Sequence, residues 1–451
     1  MKLSDKLGSI RALRAAVRSA RPVRSDLPAA ADMLVNCLGA EVRRNHYGEY
    51  LLVHQWFDSP EACASSRAAL DLLAPDAPAA ATDPANWLFL DTETTGLAGG
   101  TGTYAFLVGV AWWDAAGLQV EQYFMRDLSE EHSLLLALSE RIAERPVLVT
   151  FNGKSFDWPL LETRYKMTRS IPPPELPVHL DLLHPARQLW RLRLGSVRLS
   201  ELERHVLGWD RGHDLRSDLI PQIYFDYLRG GPAAPLVDVF RHNQSDLRGL
   251  AALAGRIIAL VSAPEDVAGD PLEFYGVSRM LRRRGEIGRA RQFYELALGA
   301  GLPAAVDCAA RRELALLAKR ERDFTRATAL WTEMIGLPGG AQPFDPPGRT
   351  QGKEAEPLQK NSDGEAGAAL EAYEQLAIYY EHHAHNPRRA AELTRAALDE
   401  LRRANRSEQL EPGRYKRLKT QLDHRLARLE RKSGASLLAP AAARNLSAKI
   451  G

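Results

Sequence analysis

The pattern of apolar residues changes once along the chain, and this change limits the folds that the chain can adopt. Between about residues 87 and 262, three strand-like runs are followed by alternating helix-like and strand-like segments. After about residue 268 the strand-like runs stop, and only helical periodicity continues. Strands followed by alternating helices and strands predict a mixed sheet with helices on its faces. We therefore expect an α/β domain followed by an all-α domain.

Composition and periodicity divide the chain into three predicted segments. Residues 1–85 form an N-terminal appendage that contains a basic helix, a hairpin and an Ala/Pro/Asp-rich linker. Residues 86–262 form the α/β domain, and its last element is a long amphipathic helix. Residues 268–435 form the helical domain. Within it, the stretch at about 338–367 is rich in Gly, Pro and charged residues, which predicts a disordered insert.

The helical domain carries a weak internal repeat. A turn followed by an Arg-Ala pair recurs at Arg289-Ala290, Arg326-Ala327 and Arg389-Ala390, each time after another helix. The first spacing is near the tetratricopeptide period. The repeat therefore indicates either a tetratricopeptide-like array or a plain array of helical hairpins.

Charge and cysteine content restrict the cellular setting more than the function. The chain has 59 Lys and Arg against 57 Asp and Glu, so its net charge argues neither for nor against a nucleic-acid partner. Cys37, Cys63 and Cys308 are far apart and odd in number, which disfavours a disulfide framework. The N-terminus lacks an apolar stretch long enough for a signal peptide, and no segment is long enough to cross a bilayer. We expect a cytoplasmic protein with no membrane partner.

The strongest local signal is the sequence FLDTETTG, in which Asp91 and Glu93 lie two residues apart at the end of a strand-like run. Side chains alternate along a strand, so both carboxylates point to the same face. Adjacent carboxylates repel each other unless a cation lies between them, and Mg²⁺ or Mn²⁺ prefers oxygen ligands. A polar strand end that leads into a turn is the alternative interpretation.

Two further segments carry acidic residues at element boundaries. In FNGKSFD, Asp157 follows a buried strand and opens a helix. The alternative to a functional role for Asp157 is that of a simple helix cap. In HNQSD, His242 and Asp246 lie four residues apart and therefore share one face of the long helix. Asp246 lies beside the apolar stripe of that helix, where an unpaired carboxylate would be costly. A polar surface face is the alternative for this pair.

In combination and in this order, these motifs resemble those of DEDD-type 3′–5′ exonucleases. The resemblance is more specific to the YprB-type ribonuclease H-like domain of bacteria, and it covers about residues 86–262. It rests on the segments DTETTGLAGGTGTYAFLVG, FNGKSFD, DLLHPARQLW, LSELERHVLG and HNQSDL. A tetratricopeptide-like tail is also typical of that family. The resemblance implies a ribonuclease H-like fold and a metal-dependent nuclease.

The resemblance also assigns roles to individual residues. It implies that Asp91, Glu93, Asp157 and Asp246 hold two Mg²⁺ or Mn²⁺ ions. It places His242 where the superfamily has its general base. In this chain the spacing from His242 to Asp246 is that of the subclass with a tyrosine base, whereas the residue is that of the histidine subclass.

Five other residues are candidates for substrate binding. Asn152 could position the scissile phosphate or a sugar hydroxyl, and Lys154 and Arg187 could contact phosphates, although isolated basic residues are often simply solvated. Thr92 and Thr94 flank the acidic residues of the first motif and could instead be turn residues.

The sequence therefore predicts a two-metal phosphodiesterase that acts as a 3′–5′ exonuclease on single-stranded DNA or RNA. The helical domain would bind a protein partner or a stretch of substrate. The alternative is an inactive nuclease-like binding module that works through its helical repeats. Retention of a carboxylate at all four metal positions favours the enzyme.

Overall fold

The computed structural model divides the chain into two compact units, Met1–Gly269 and Asp270–Gly451. It describes residues 27–58, 67–96, 101–115, 117–212, 214–267, 269–336, 362–407 and 410–438. The predicted basic N-terminal helix and most of the predicted insert lie outside these ranges.

The first unit is built on one seven-stranded sheet. Its strands are β1 (Glu41–Asn45), β2 (Gly48–Phe57), β3 (Trp87–Thr94), β4 (Ala105–Asp114), β5 (Gly117–Phe124), β6 (Val147–Thr150) and β7 (Val178–Asp181). They are arranged in the order β1-β2-β5-β4-β3-β6-β7. The β3-β4-β5 meander is antiparallel, whereas β6 and β7 join parallel to β3. The expected mixed sheet is confirmed.

The hairpin assigned to the N-terminal appendage is part of this sheet. Its β2 strand pairs antiparallel with β5 along residues 51–57, so the separate appendage expected for residues 1–85 does not hold for these strands. Without the hairpin, β5 would be an edge strand with unpaired backbone groups. The predicted linker is also packed, because the Trp87 indole N–H donates to the Ala81 carbonyl at 2.8 Å.

Helices connect and cover the strands of the first unit. They are α1 (Leu27–Leu38), α2 (Arg67–Leu73), α3 (Glu131–Ala143), α4 (Asp157–Thr168), α5 (Leu183–Leu194), α6 (Leu199–Leu202, continued as a π turn over Glu203–Leu207), α7 (Ile220–Leu228) and α8 (Ala234–Ser262). The long helix α8 packs on β3, β4 and β5. Its apolar residues Leu236, Phe240, Leu247 and Leu250 are buried, as the amphipathic pattern predicts.

The second unit is helical throughout its described residues. Its helices are α9 (Pro271–Arg284), α10 (Ile287–Ala300), α11 (Ala304–Arg320), α12 (Phe324–Gly336), α13 (Ser362–His382), α14 (Pro387–Arg406) and α15 (Pro412–Leu438). Helix α13 begins inside the range assigned to the disordered insert. The described part of this unit confirms the expected all-α architecture.

The weak repeat has a structural basis. Ala290, Ala327 and Ala390 are each the fourth residue of a helix, namely α10, α12 and α14, and all three are fully buried. Each of these helices packs against the one before it or after it along the chain. A small residue at this position lets the first turn of the helix approach its neighbour closely. Among the described residues, no helix is long and apolar enough to span a membrane.

Candidate functional site

Strand β3 supplies the first two carboxylates. Asp91 lies within the strand, and its Oδ2 accepts a hydrogen bond from the Asn243 amide at 2.7 Å. Glu93 lies near the strand end, just before the pairing of β3 with β4 shifts register, and only 9% of it is exposed. These two carboxylates are therefore held by the sheet and covered by helix α8.

Asp157 is the first residue of helix α4. Phe156 occupies the cap position before it, so the predicted alternative of a simple helix cap does not describe Asp157. Its Oδ1 instead accepts a hydrogen bond from the Thr92 hydroxyl at 2.5 Å. Burial raises the pKa of Asp157 to about 6, although the Thr92 hydrogen bond lowers it. Thr92, predicted as a substrate-binding residue, is thus engaged with a carboxylate of the site.

Helix α8 brings His242 and Asp246 to the same place. The His242 Nε2 lies 3.4 Å from Asp246 Oδ2, as expected for residues one turn apart. One ligand atom each from Glu93, His242 and Asp246 lies within 4.8 Å of the others. Residues from a strand and a helix that are far apart in sequence therefore converge in a group that could hold a metal ion.

The repulsion among the carboxylates of the site favours the binding of a cation. Burial raises the pKa of both Asp91 and Glu93 well above the ordinary range, and repulsion from Asp246 and Asp157 raises it further. A divalent cation would relieve this repulsion and restore the ionised form of these carboxylates. Carboxylate oxygens are the ligands that Mg²⁺ and Mn²⁺ prefer, and an imidazole is compatible with Mn²⁺. The residues therefore fit the expected ions.

A row of residues across three strands supports Asp91. Asp91 on β3 pairs with Gly109 on β4, which pairs with Gln122 on β5. Asn243 lies over Gly109 and bridges the row, since it donates to Asp91 and accepts from the Gln122 amide at 2.8 Å. Gln122 also accepts from Gln244 at 2.8 Å. The sequence did not single out Asn243, Gln122 and Gln244. The run of polar residues on helix α8 was a signal for Asn243 and Gln244.

A charged chain supports Asp246 from the other side. Arg211 donates to Asp246 Oδ1 at 2.5 Å and to both carboxylate oxygens of Glu203. Gly249 allows this arrangement, because a Cβ there would lie 1.7 Å from Glu203 Oε1. Arg211 also donates to Asp214, whose other oxygen lies 2.7 Å from His242 Nδ1. In the sequence, the run of charges in WDRGHD was the signal for Arg211 and Asp214.

The loop after β6 is held by Asp181. The Asp181 carboxylate accepts hydrogen bonds from the backbone N–H groups of Asn152 and Lys154, at 2.8 and 3.1 Å. Asn152 has a φ of 70°, a left-handed conformation that an asparagine tolerates better than most residues. The Lys154 side chain is exposed. Asp181 therefore acts as a structural partner that shapes the loop before Asp157.

The remaining two substrate-binding candidates lie farther from these contacts. The Thr94 hydroxyl donates to the Gly96 carbonyl at 3.0 Å, as in a local turn. Arg187 is exposed on helix α5, and none of the contacts among the described residues joins it to the carboxylates.

Comparisons with known proteins agree with this geometry. Residues 88–258 match a family model described as the RNase_H superfamily. The chain is 31% identical over 251 residues to a protein of Bacillus subtilis (strain 168) whose name is "Uncharacterized protein YprB". That alignment covers 55% of this chain and 60% of the relative, so the chain spans less than two thirds of the relative's length. The resemblance of this part of the chain to the ribonuclease H-like superfamily and to YprB, drawn from the motifs, is confirmed.

Proposed function

We propose that this protein is a metal-dependent 3′–5′ exonuclease that hydrolyses phosphodiester bonds at single-stranded ends of nucleic acid. The observation that supports the proposal best is the convergence of Glu93, His242 and Asp246, with Asp157 close enough to raise the pKa of both Asp91 and Glu93. Four carboxylates from a strand and two helices surround one place, and all four suit divalent cations.

The carboxylates and the histidine have separate roles in this proposal. Asp91, Glu93, Asp157 and Asp246 would hold two Mg²⁺ or Mn²⁺ ions, which supply charge stabilisation for the phosphate and its leaving oxygen. His242 Nε2 takes a proton from the attacking water as its oxygen forms a bond to phosphorus. The bond from phosphorus to the leaving oxygen then breaks, and that oxygen receives a proton from solvent. Asn152 and Lys154 lie on the loop that leads to Asp157 and are the candidates for contact with the substrate backbone.

The second candidate function is a nuclease-like binding module without turnover. Its working surface would be the helical unit, which would bind a protein partner or a stretch of nucleic acid. The observation that favours it is the ion pair between Arg211 and Asp246, because this pair already gives one carboxylate a cationic partner. Against it stands the complete set of four carboxylates.

The deciding experiment measures degradation of 5′-labelled single-stranded DNA and RNA with Mg²⁺, with Mn²⁺ and with EDTA. Wild type is compared with Asp91→Asn, which removes the charge but keeps the side-chain size. Asp238→Asn is the matched control, since Asp238 lies exposed on helix α8 and pairs only with Arg241 among its described neighbours. We expect a metal-dependent ladder from wild type and from Asp238→Asn. In Asp91→Asn the rate of degradation should fall at least about 10³-fold, so that the ladder is lost.

Other outcomes would refute the proposal in defined ways. Equal degradation by wild type and Asp91→Asn would assign the activity to a contaminant. Internal cleavage of a circular strand would contradict the exonuclease. Salt-sensitive binding without cleavage of either nucleic acid would favour the binding module.

A further inference from the structure

Asp214 faces Nδ1 of the His242 ring, whereas Asp246 faces the other ring nitrogen, Nε2. The Asp214 Oδ1 lies 2.7 Å from His242 Nδ1, whereas Nε2 lies 3.4 Å from Asp246 Oδ2. His242 itself is 7% exposed, so solvent cannot easily reorient the ring. The two nitrogens of one buried imidazole therefore have different neighbours.

The position of Asp214 is fixed by other donors. Its Oδ2 accepts from Arg211 Nη1 at 2.9 Å, and its Oδ1 also accepts from the Leu215 backbone N–H at 2.8 Å. Arg211 is held in turn by both oxygens of Glu203. Because Arg211 carries only donors, it keeps an acceptor oxygen of residue 214 turned toward it.

This arrangement selects one tautomer of the neutral histidine. Asp214 and Asp246 are both anionic acceptors, but only the Asp214 contact, at 2.7 Å, has the length of a normal N–H···O hydrogen bond, so a single ring proton lies on Nδ1. The lone pair then lies on Nε2, which is 3.4 Å from Asp246 Oδ2 and 3.4 Å from the Ser217 hydroxyl oxygen. A histidine in this tautomer can take a proton from water on the side of the site where the substrate phosphate would lie.

We propose that Asp214 is a positioning residue for the reaction: through the hydrogen bond to Nδ1 it fixes the His242 tautomer and ring orientation in which Nε2 accepts the proton of the attacking water. The inference rests on the proposed function for its chemistry. It adds Asp214 to the four carboxylates and the histidine as a residue that serves the reaction. It also gives the hydrogen-bonded series from Glu203 through Arg211 a function beyond local stability.

The test uses Asp214→Asn in the full chain. The charged Arg211 is a stronger donor than the Leu215 N–H, so the amide oxygen of the new side chain should stay turned to Arg211 and give up the Leu215 hydrogen bond, which leaves the amide NH₂ facing His242 Nδ1. His242 Nδ1 would then have to accept a hydrogen bond, and the proton would move to Nε2. Asp218→Asn is the matched control, because Asp218 lies nearby in sequence and pairs with the exposed Arg216.

Two readouts separate positioning from general structural support. The first is kcat on single-stranded substrate. We expect Asp214→Asn to lower kcat about 100-fold, within the roughly 10²–10⁴-fold that a general base contributes, with KM and Mn²⁺ affinity within about twofold of wild type. Asp214→Glu, which keeps the anionic acceptor, should retain more activity than Asp214→Asn.

The second readout is the tautomer itself. Protein labelled with ¹⁵N in its histidine rings is studied by NMR at about pH 8, where a free imidazole is neutral. The His242 signals are assigned by their loss in His242→Gln. We expect protonation at Nδ1 in wild type and in Asp218→Asn, and protonation at Nε2 in Asp214→Asn.

The outcomes distinguish this inference from the proposed function. If wild type degrades nucleic acid but Asp214→Asn matches Asp218→Asn in kcat, the positioning role is refuted and the nuclease stands. A wild-type His242 protonated at Nε2 would refute it as well. If wild type cleaves nothing, the proposed function fails, and the NMR result alone then decides whether Asp214 sets the tautomer.

Discussion

Substitution of Gly109 by alanine should damage both the fold and the site, because helix α8 lies directly on this residue. A Cβ at Gly109 would lie 2.1 Å from Asn243 Oδ1 and 2.7 Å from Leu247 Cδ1, well inside contact distance. Asn243 cannot simply swing away, since its amide group holds Asp91 at 2.7 Å and Gln122 at 2.8 Å.

The size of the effect follows from these contacts. Overpacking a tight core costs about 1–3 kcal/mol, and loss of two buried hydrogen bonds adds about 1–3 kcal/mol. We therefore expect Gly109→Ala to lower the free energy of unfolding by about 2–6 kcal/mol. Urea unfolding followed by circular dichroism measures this change, and isothermal titration with Mn²⁺ measures the loss of metal affinity as Asp91 loses its amide partner.

Two companion variants test the cause. Gly96→Ala adds the same methyl group where the nearest atom, Thr103 Oγ1, is 4.0 Å away, so its effect should stay within about 0.5 kcal/mol. Asn243→Ala removes the main obstacle, so adding Gly109→Ala to it should cost less than adding it to wild type. A Gly109→Ala protein as stable as wild type, or an equal cost in both backgrounds, would refute the proposed packing.

Two further predictions concern charge inside the first unit. Burial raises the pKa of Asp157 to about 6, so the folded protein binds this proton more tightly than the unfolded chain does. The resulting stabilisation is complete below the unfolded value of about 4 and is lost as pH rises to about 6. In EDTA, wild type should therefore lose stability relative to Asp157→Asn as the pH rises from about 4 to about 6. A stability difference that does not change with pH would contradict the raised pKa. Glu131 and Arg164 form a buried two-bond ion pair with distances of 2.5 and 2.6 Å. Glu131→Ala should cost about 3–5 kcal/mol in chemical unfolding, because it leaves the Arg164 charge buried without its partner; a cost below about 1 kcal/mol would mean that water reaches the guanidinium.

Many strands and helices of the described chain followed from local pattern, although the helices α2 and α7 did not. The apolar runs predicted three successive strands followed by alternating helices and strands, and the 3.6-residue periodicity predicted the long helix that ends the domain. The place of the β1–β2 hairpin did not follow, because a hairpin looks the same in sequence whether it stands alone or extends a sheet. Only the pairing of β2 with β5, between segments far apart in the chain, decides it.

The same distinction separates the site residues that the sequence indicated from those that it missed. The sequence indicated Asp91, Glu93, Asp157, His242 and Asp246 because each lies in or beside an apolar strand or helix pattern, where a charged or titratable residue is conspicuous locally. Asn243, Arg211 and Asp214 act through partners that are distant in sequence: Asn243 is 152 residues from Asp91, and Arg211 is 35 residues from Asp246. Their residue types are unremarkable on a polar surface, and only the folded chain shows that they are engaged.

The arrangement of charge implies an order within the carboxylate set. Arg211 gives Asp246 a cationic partner, whereas among the described residues no Lys or Arg pairs with Asp91, Glu93 or Asp157. A carboxylate that is already paired gains less from an added cation than one that faces only other carboxylates. A metal ion would therefore relieve the most repulsion between β3 and the start of α4, where Asp91, Glu93 and Asp157 lie. In the proposed two-metal site, an ion that engages Asp246 must compete with the guanidinium of Arg211, so the occupancy of the two positions should differ, and Arg211→Gln should tighten the weaker one.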